Sequence, residues 1–163
     1  QKTMSITPAY LVTQDADDIQ DYSQITMELG RRFRALKLWF VIRAYGVAGL
    51  QKIIRDHVAW AEQLAERLGA VPGIELTSPV QLGLFSFRLR PEGTEDGEAL
   101  DRLNAEFLDA VNGDGTIYLT QTVHEGRYII RVSIGTTATS QDDIDIAFDT
   151  ITRLAAPYLK TAT

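Results

Sequence analysis

The order of elements written in this chain predicts an α+β fold, a helical connector followed by a small antiparallel sheet with helices on one face. Three observations carry that expectation. Apolar residues recur at i, i+3, i+4 and i+7 through two early stretches, so two helices stand first. Short segments further on alternate apolar and polar side chains, as half-buried strands do. The later part of the chain reads β-β-α-β-β-α, and an antiparallel sheet backed by helices is the economical solution for that order.

Residues 1 to 29 hold Pro8, the acidic run QDADDIQD (14 to 21) and scattered apolars without a period, and are read as an arm. Leu36, Trp39, Phe40 and Arg43 fall at helical spacing before Gly46, a good helix terminator, which predicts a helix from about Arg31 to Tyr45 with Leu36, Trp39 and Phe40 directed to a core. Leu50, Ile53, Ile54, His57, Val58, Ala61, Leu64, Ala65 and Leu68 form the stripe of a second helix, Val47 to Leu68, ended by Gly69.

VPGIELTSP and QLGLFSFRLR predict two strands, the second setting Phe85, Phe87 and Leu89 against Ser86, Arg88 and Arg90. A helix from about Gly97 to Val111 follows, ending at the turn NGDG. TIYLTQTV and RYIIRVSIG, joined through HEG, predict an antiparallel hairpin. The last helix, Gln141 to Leu159, has Ser140 as its N-cap and Asp142 and Asp143 in its first turn, where a carboxylate meets the positive end of the helix dipole.

Composition narrows the function. The 163 residues, 45% of them hydrophobic, suffice for one core, and the chain has no cysteine, which rules out disulfides and thiol chemistry. No apolar run approaches the roughly 20 residues of a membrane span. His57 and His124 stand apart, one on an apolar stripe and one in a turn, so neither a metal site nor a Ser-His triad is expected. GVAG (46 to 49) lacks the context of a phosphate-binding loop.

The net charge is -6, yet seven basic residues and no acid lie between Arg31 and Arg55. Arg31, Arg34 and Lys37 share a helix face, but the acidic balance argues against nucleic acid, and arginines of this kind suit pairing with acids inside an assembly. On these residues alone a free-standing, non-enzymatic α+β binding or dimerisation module stays open beside an enzyme.

One stretch carries more. GRRFRALKLWFVIRAYGVAGLQKIIRDHV resembles the run that opens the carboxy-terminal part of group II pyridoxal-phosphate-dependent amino-acid decarboxylases, the aromatic-L-amino-acid decarboxylase type. ITPAYL (6 to 11) is similar to a loop of that family, and QLGLFSFRLR, the turn before TIYLTQT and YIIRVSIG are similar to its small-domain strands. The resemblance covers essentially the whole chain and the last third or so of a family member. It implies the small domain of a fold-type I pyridoxal-phosphate enzyme, with residues 1–29 an active-site loop or arm from the large domain, 30–69 connecting helices and 70–163 the α+β small domain.

The same resemblance implies roles. Tyr10 matches a loop tyrosine that protonates the substrate's α carbon once CO2 has left, acting across a homodimer interface. Leu29 and Gly30 match positions reaching the neighbouring subunit's substrate pocket. The lysine that holds pyridoxal 5'-phosphate belongs to an Asn-Pro-His-Lys-Trp context expected upstream of Gln1, and none of Lys2, Lys37, Lys52 and Lys160 has it. The expectation is therefore a cytoplasmic, homodimeric enzyme that uses the cofactor when full length, with an amino-acid substrate, no nucleic acid and no membrane. This chain by itself is expected to be inactive and to bind no cofactor. The family's animal members read Arg-x-Trp-Gln-Ile-Pro where this chain has Ser23 to Glu28, which leaves the substrate open.

Overall fold

The computed structural model describes residues 32–160. The chain divides between Ala44 and Tyr45 into two units. Helix α1, Ala35–Gly69, begins in the first unit and continues into the second, and Gly46 leaves helical geometry within it (φ 67, ψ 165). Two helices meet at that residue, as the sequence predicts, because only glycine reaches such a φ without a clash at Cβ.

In the first unit the helix is apolar on every side. Leu36, Leu38, Trp39, Phe40, Val41 and Ile42 are all exposed, Trp39 by 54%. The expectation that Leu36, Trp39 and Phe40 enter a core is not met here. What this helix does contain is local: the Trp39 and Phe40 rings meet edge to face at 5.1 Å, and the Arg43 guanidinium lies 5.8 Å from the Trp39 ring centroid.

The second unit is the α+β fold read from the sequence. Its elements after α1 are β1 (Ile74–Gln81), β2 (Leu84–Leu89), α2 (Glu98–Asp114), β3 (Thr120–His124), β4 (Arg127–Ser133) and α3 (Gln141–Leu159). The strands form one sheet in the order β1-β2-β4-β3, with every neighbour antiparallel. Phe85 pairs with Val132 and Phe87 with Ile130, so their side chains share one face. That face joins Ala61, Leu64 and Leu68 of α1, Phe107 and Val111 of α2, and Ile144, Ile151 and Ala155 of α3 in one core. The Phe107 ring sits edge-on between Phe87 at 6.4 Å and Tyr158 at 5.8 Å. Burying each such ring is worth about 2–3 kcal/mol.

Polar side chains close what the ladders leave open. The buried Asn104 side chain accepts from the Leu89 N–H at 2.7 Å and donates to Leu89 O and Leu100 O, both at 2.9 Å. Asn112 does the same for Leu119, accepting from its N–H at 2.9 Å and donating to its carbonyl at 3.1 Å. Asp101 accepts from the Tyr128 N–H at 3.0 Å, tying α2 to β4. At the start of α3, Ser140 and Asp143 form a reciprocal capping box.

Several boundaries differ from the sequence reading, each for a visible reason. β3 starts at Thr120 rather than near Thr116, because Asn112 takes up the backbone groups of Leu119. α2 runs through NGD to Asp114 and ends only where Gly115 turns left-handed (φ 78). The hairpin turn is Glu125–Gly126, with φ 51 and 75, so His124 belongs to the strand.

Candidate functional site

Tyr10, Leu29 and Gly30, the residues to which the family resemblance assigns catalysis and substrate contact, lie outside the described residues. Within the described residues the densest polar chemistry lies on the sheet face turned away from the helices. Ser86 and Arg88 alternate with Phe85, Phe87 and Leu89 and so project to that side, yet both are buried, Arg88 with only 1% exposed. Strand alternation alone predicts an open polar face there.

A bulge explains part of this. Leu76 pairs with Phe87 and Ser78 with Ser86, which leaves Thr77 as an extra residue in β1. Ser86 Oγ accepts from the Thr77 hydroxyl at 2.9 Å and donates to Ser78 Oγ at 2.8 Å, while Ser78 Oγ also receives the Ser86 N–H at 3.0 Å. Arg88 donates from Nε to Glu75 at 2.8 Å and from Nη2 to Asp96 at 2.6 Å, and Arg90 reaches Glu75 at 3.4 Å. Burial alone would lower the Arg88 pKa, but the hydrogen bonds and charges of Glu75 and Asp96 outweigh it and hold the guanidinium above its ordinary value. With both carboxylates engaged, Arg88 serves as an internal tie between β1, β2 and the loop before α2. The sequence signal for it was a basic residue on a central strand with acids at Glu75 and Asp96 within reach.

His57 packs beside Trp60, ring centroids 5.8 Å apart, and His124 lies at the far end of β3. Among the described residues no group of three or more His, Cys, Asp or Glu side chains is arranged to hold a metal ion. No described helix is long and apolar enough to cross a membrane.

An aldehyde cofactor held as an imine needs a lysine amine at a pocket that excludes water. Lys37, Lys52 and Lys160 are exposed, and the Lys52 ammonium is taken by Asp56 one turn along α1. Lys37, Lys52 and Lys160 therefore do not fit the part of the lysine that would hold such a group.

The fold and this arrangement define a class of protein: an α+β sheet domain whose outer face carries an internally paired polar cluster, preceded in the chain by an exposed apolar helix. Comparison with known proteins places it. The family model described as the pyridoxal-dependent decarboxylase conserved domain matches residues 1–90. The chain belongs to that family. It is 37% identical over 161 residues to tryptophan decarboxylase TDC1 of Camptotheca acuminata, covering 98% of this chain and 32% of the relative. It is 36% identical over 152 residues to tyrosine decarboxylase 4 of Petroselinum crispum, covering 90% of this chain and 30% of the relative. The crystal structure of Oryza sativa TDC with PLP and tryptamine superposes on 98% of the chain and 34% of that protein, with a TM-score of 0.86 and 29% identity. The chain thus spans about a third of the length of the relatives it matches.

Proposed function

We propose that this chain is the carboxy-terminal part of a pyridoxal-phosphate-dependent decarboxylase that converts an aromatic L-amino acid to its amine and CO2. The observation that carries the reading is the match along 98% of the chain, in sequence and in fold, to enzymes named for tryptophan decarboxylation. The cofactor, when bound, supplies the electron sink that lets the carboxylate leave. The lysine that holds it belongs, on this reading, to the other two thirds of the enzyme.

The contribution assigned to this chain is a proton and a boundary. Tyr10 presents a phenol to the carbon that loses CO2. Leu29 and Gly30 border the neighbouring subunit's substrate pocket, where glycine leaves room for a ring. Both roles require a homodimer, and the enzyme is assigned to the cytoplasm. Relatives named for tryptophan and for tyrosine match at 37% and 36% identity, so aromatic amino acids are the substrate class and the choice among them is left to assay.

The test is expression of the complete reading frame with pyridoxal phosphate, followed by measurement of CO2 and amine from tryptophan, tyrosine and phenylalanine. Amine from at least one of them is expected. Turnover of acidic amino acids alone, or of none, overturns the reading.

A further inference from the structure

Glycine follows an acid or an amide at Asp96–Gly97, Asn112–Gly113 and Asp114–Gly115. Such pairs are chemically fragile, because glycine has no side chain to keep its backbone nitrogen away from the preceding side-chain carbonyl. In the folded protein all three side chains are held. Asp96 is taken by Arg88 at 2.6 Å, and Asp114 by the Thr116 hydroxyl and by Arg153, the latter at 2.9 Å. Thr116 first, and then Arg153, keep the Asp114 carboxyl below its ordinary pKa, so it stands ionised, and a carboxylate is a poor electrophile. Asn112 has no such protection, since its neutral amide can lose ammonia near neutral pH.

What restrains Asn112 is geometry. Its side chain reaches across the α2–β3 connection, accepting from the Leu119 N–H at 2.9 Å and donating to the Leu119 carbonyl at 3.1 Å. Gly113 lies within α2, which runs to Asp114, so its N–H is committed to the carbonyl one turn back. For the two groups to meet, the end of the helix must unwind and the amide must leave Leu119. Solvent is at hand when they do: Gly113 is exposed, and a Cβ there would meet nothing within 4 Å.

We propose that Asn112 is a site of spontaneous covalent modification, deamidation through a ring closed with Gly113, and that the clamp on Leu119 confines the reaction to moments when the end of α2 has opened. The Gly113 nitrogen gives up its proton and attacks Asn112 Cγ; the Cγ–Nδ2 bond breaks, and the nitrogen leaves as ammonia with a proton returned by water. A second water opens the cyclic imide at either carbonyl, leaving aspartate or isoaspartate. The change is one-way. A carboxylate at position 112 has no N–H for the Leu119 carbonyl, and it adds negative charge at the C-terminal end of a helix that already carries Asp109 and Asp114. The isoaspartyl form also lengthens the backbone by one carbon, which the last turn of α2 cannot keep in register. A chain once modified cannot rebuild the clamp.

The test ages the intact, cofactor-loaded enzyme at mildly alkaline pH, native and unfolded in urea, and follows the peptide bearing Asn112 by mass and chromatography. Conversion in urea is expected, with conversion in the native enzyme slower on the order of 10-fold or more. Protection of the Leu119 amide against hydrogen exchange is expected to match that ratio, because one opening frees both groups. Equal rates in the native and unfolded enzyme overturn the gating, and native slowing beside an unprotected Leu119 amide overturns the clamp. Absence of conversion at Asn112 even in urea overturns the site. Gly113→Ala is expected to slow conversion in urea without lowering the thermal midpoint; an unchanged rate takes Gly113 out of the reaction. Asn112→Asp supplies the product directly and is expected to lower Leu119 protection, whereas wild-type protection would show that the clamp survives and the change is reversible in structure.

Discussion

Asn104 grips Leu89 by both of its backbone groups, accepting the N–H at 2.7 Å and donating to the carbonyl at 2.9 Å. A side chain from the middle of α2 thereby completes the end of β2 where no strand does. Replacing Asn104 with leucine keeps the size and strands two buried backbone groups, at a cost of about 3 kcal/mol. Denaturant titration of wild type and Asn104→Leu is expected to show a lower midpoint with an unchanged slope. Equal midpoints would mean that water or a neighbour replaces the amide.

The Glu125–Gly126 turn has positive φ at both residues, 51 and 75. That geometry favours Asn-Gly, so Glu125→Asn is expected to stabilise the protein by about 0.5 kcal/mol. The exposed Glu125–Arg127 pair that it removes, 2.9 Å apart, contributes little. A thermal midpoint below that of wild type would show that the ion pair outweighs the backbone.

The capping box gives α3 an acid-sensitive start. The Asp143 carboxylate accepts from the Ser140 hydroxyl and backbone N–H, both at 2.8 Å, and these bonds hold its pKa below the ordinary aspartate value. A depressed pKa means stability that is present above the unfolded-state value and lost as pH falls through the folded one. Protection of the amides in the first turn of α3 against exchange, taken relative to the unfolded chain at the same pH, is therefore expected to fall below about pH 4 in wild type. In Asp143→Asn that protection is already low at neutral pH and flat across that window; a variant that kept the acid step would assign it to another carboxylate.

If Tyr10 is the proton donor, Tyr10→Phe in the complete enzyme retains the ring and loses the phenol. Amine formation is expected to fall by on the order of 10²-fold or more, with substrate binding preserved. Amine production at the wild-type rate would remove Tyr10 from the reaction and with it the role assigned to ITPAYL.

Periodicity made the sheet domain legible. Phe85, Phe87 and Leu89 announce the buried face of β2, and Ser140 with Asp143 announces the start of α3, because both signals are local and act through backbone geometry. What escaped was set by tertiary neighbours. Ser86 and Arg88 read as a solvent face, but a bulge at Thr77 and carboxylates from β1 and the following loop enclose them. Asn112 reads as the first residue of a turn and instead lies in the last turn of α2, where its side chain takes the backbone groups of Leu119 and shortens β3. Leu36, Trp39 and Phe40 read as core because their composition demands burial, and among the described residues nothing provides it. Tyr10, Leu29 and Gly30 have no periodic signal; the resemblance alone singles them out.

The sheet's two edges bear on how the protein behaves at high concentration. β3 has only five residues, mostly polar, and β1 is interrupted by two irregularities around Pro79. Short, bulged edges make poor templates for strand addition, so stacking of sheets into cross-β fibres is disfavoured from either side. The sticky element is the first stretch of α1, residues 35–44, whose apolar side chains face water all round. Clumping of the isolated chain should accordingly be amorphous, helical in its circular dichroism and reversed by mild detergent, and should not produce the thioflavin-positive fibrils of an unprotected strand.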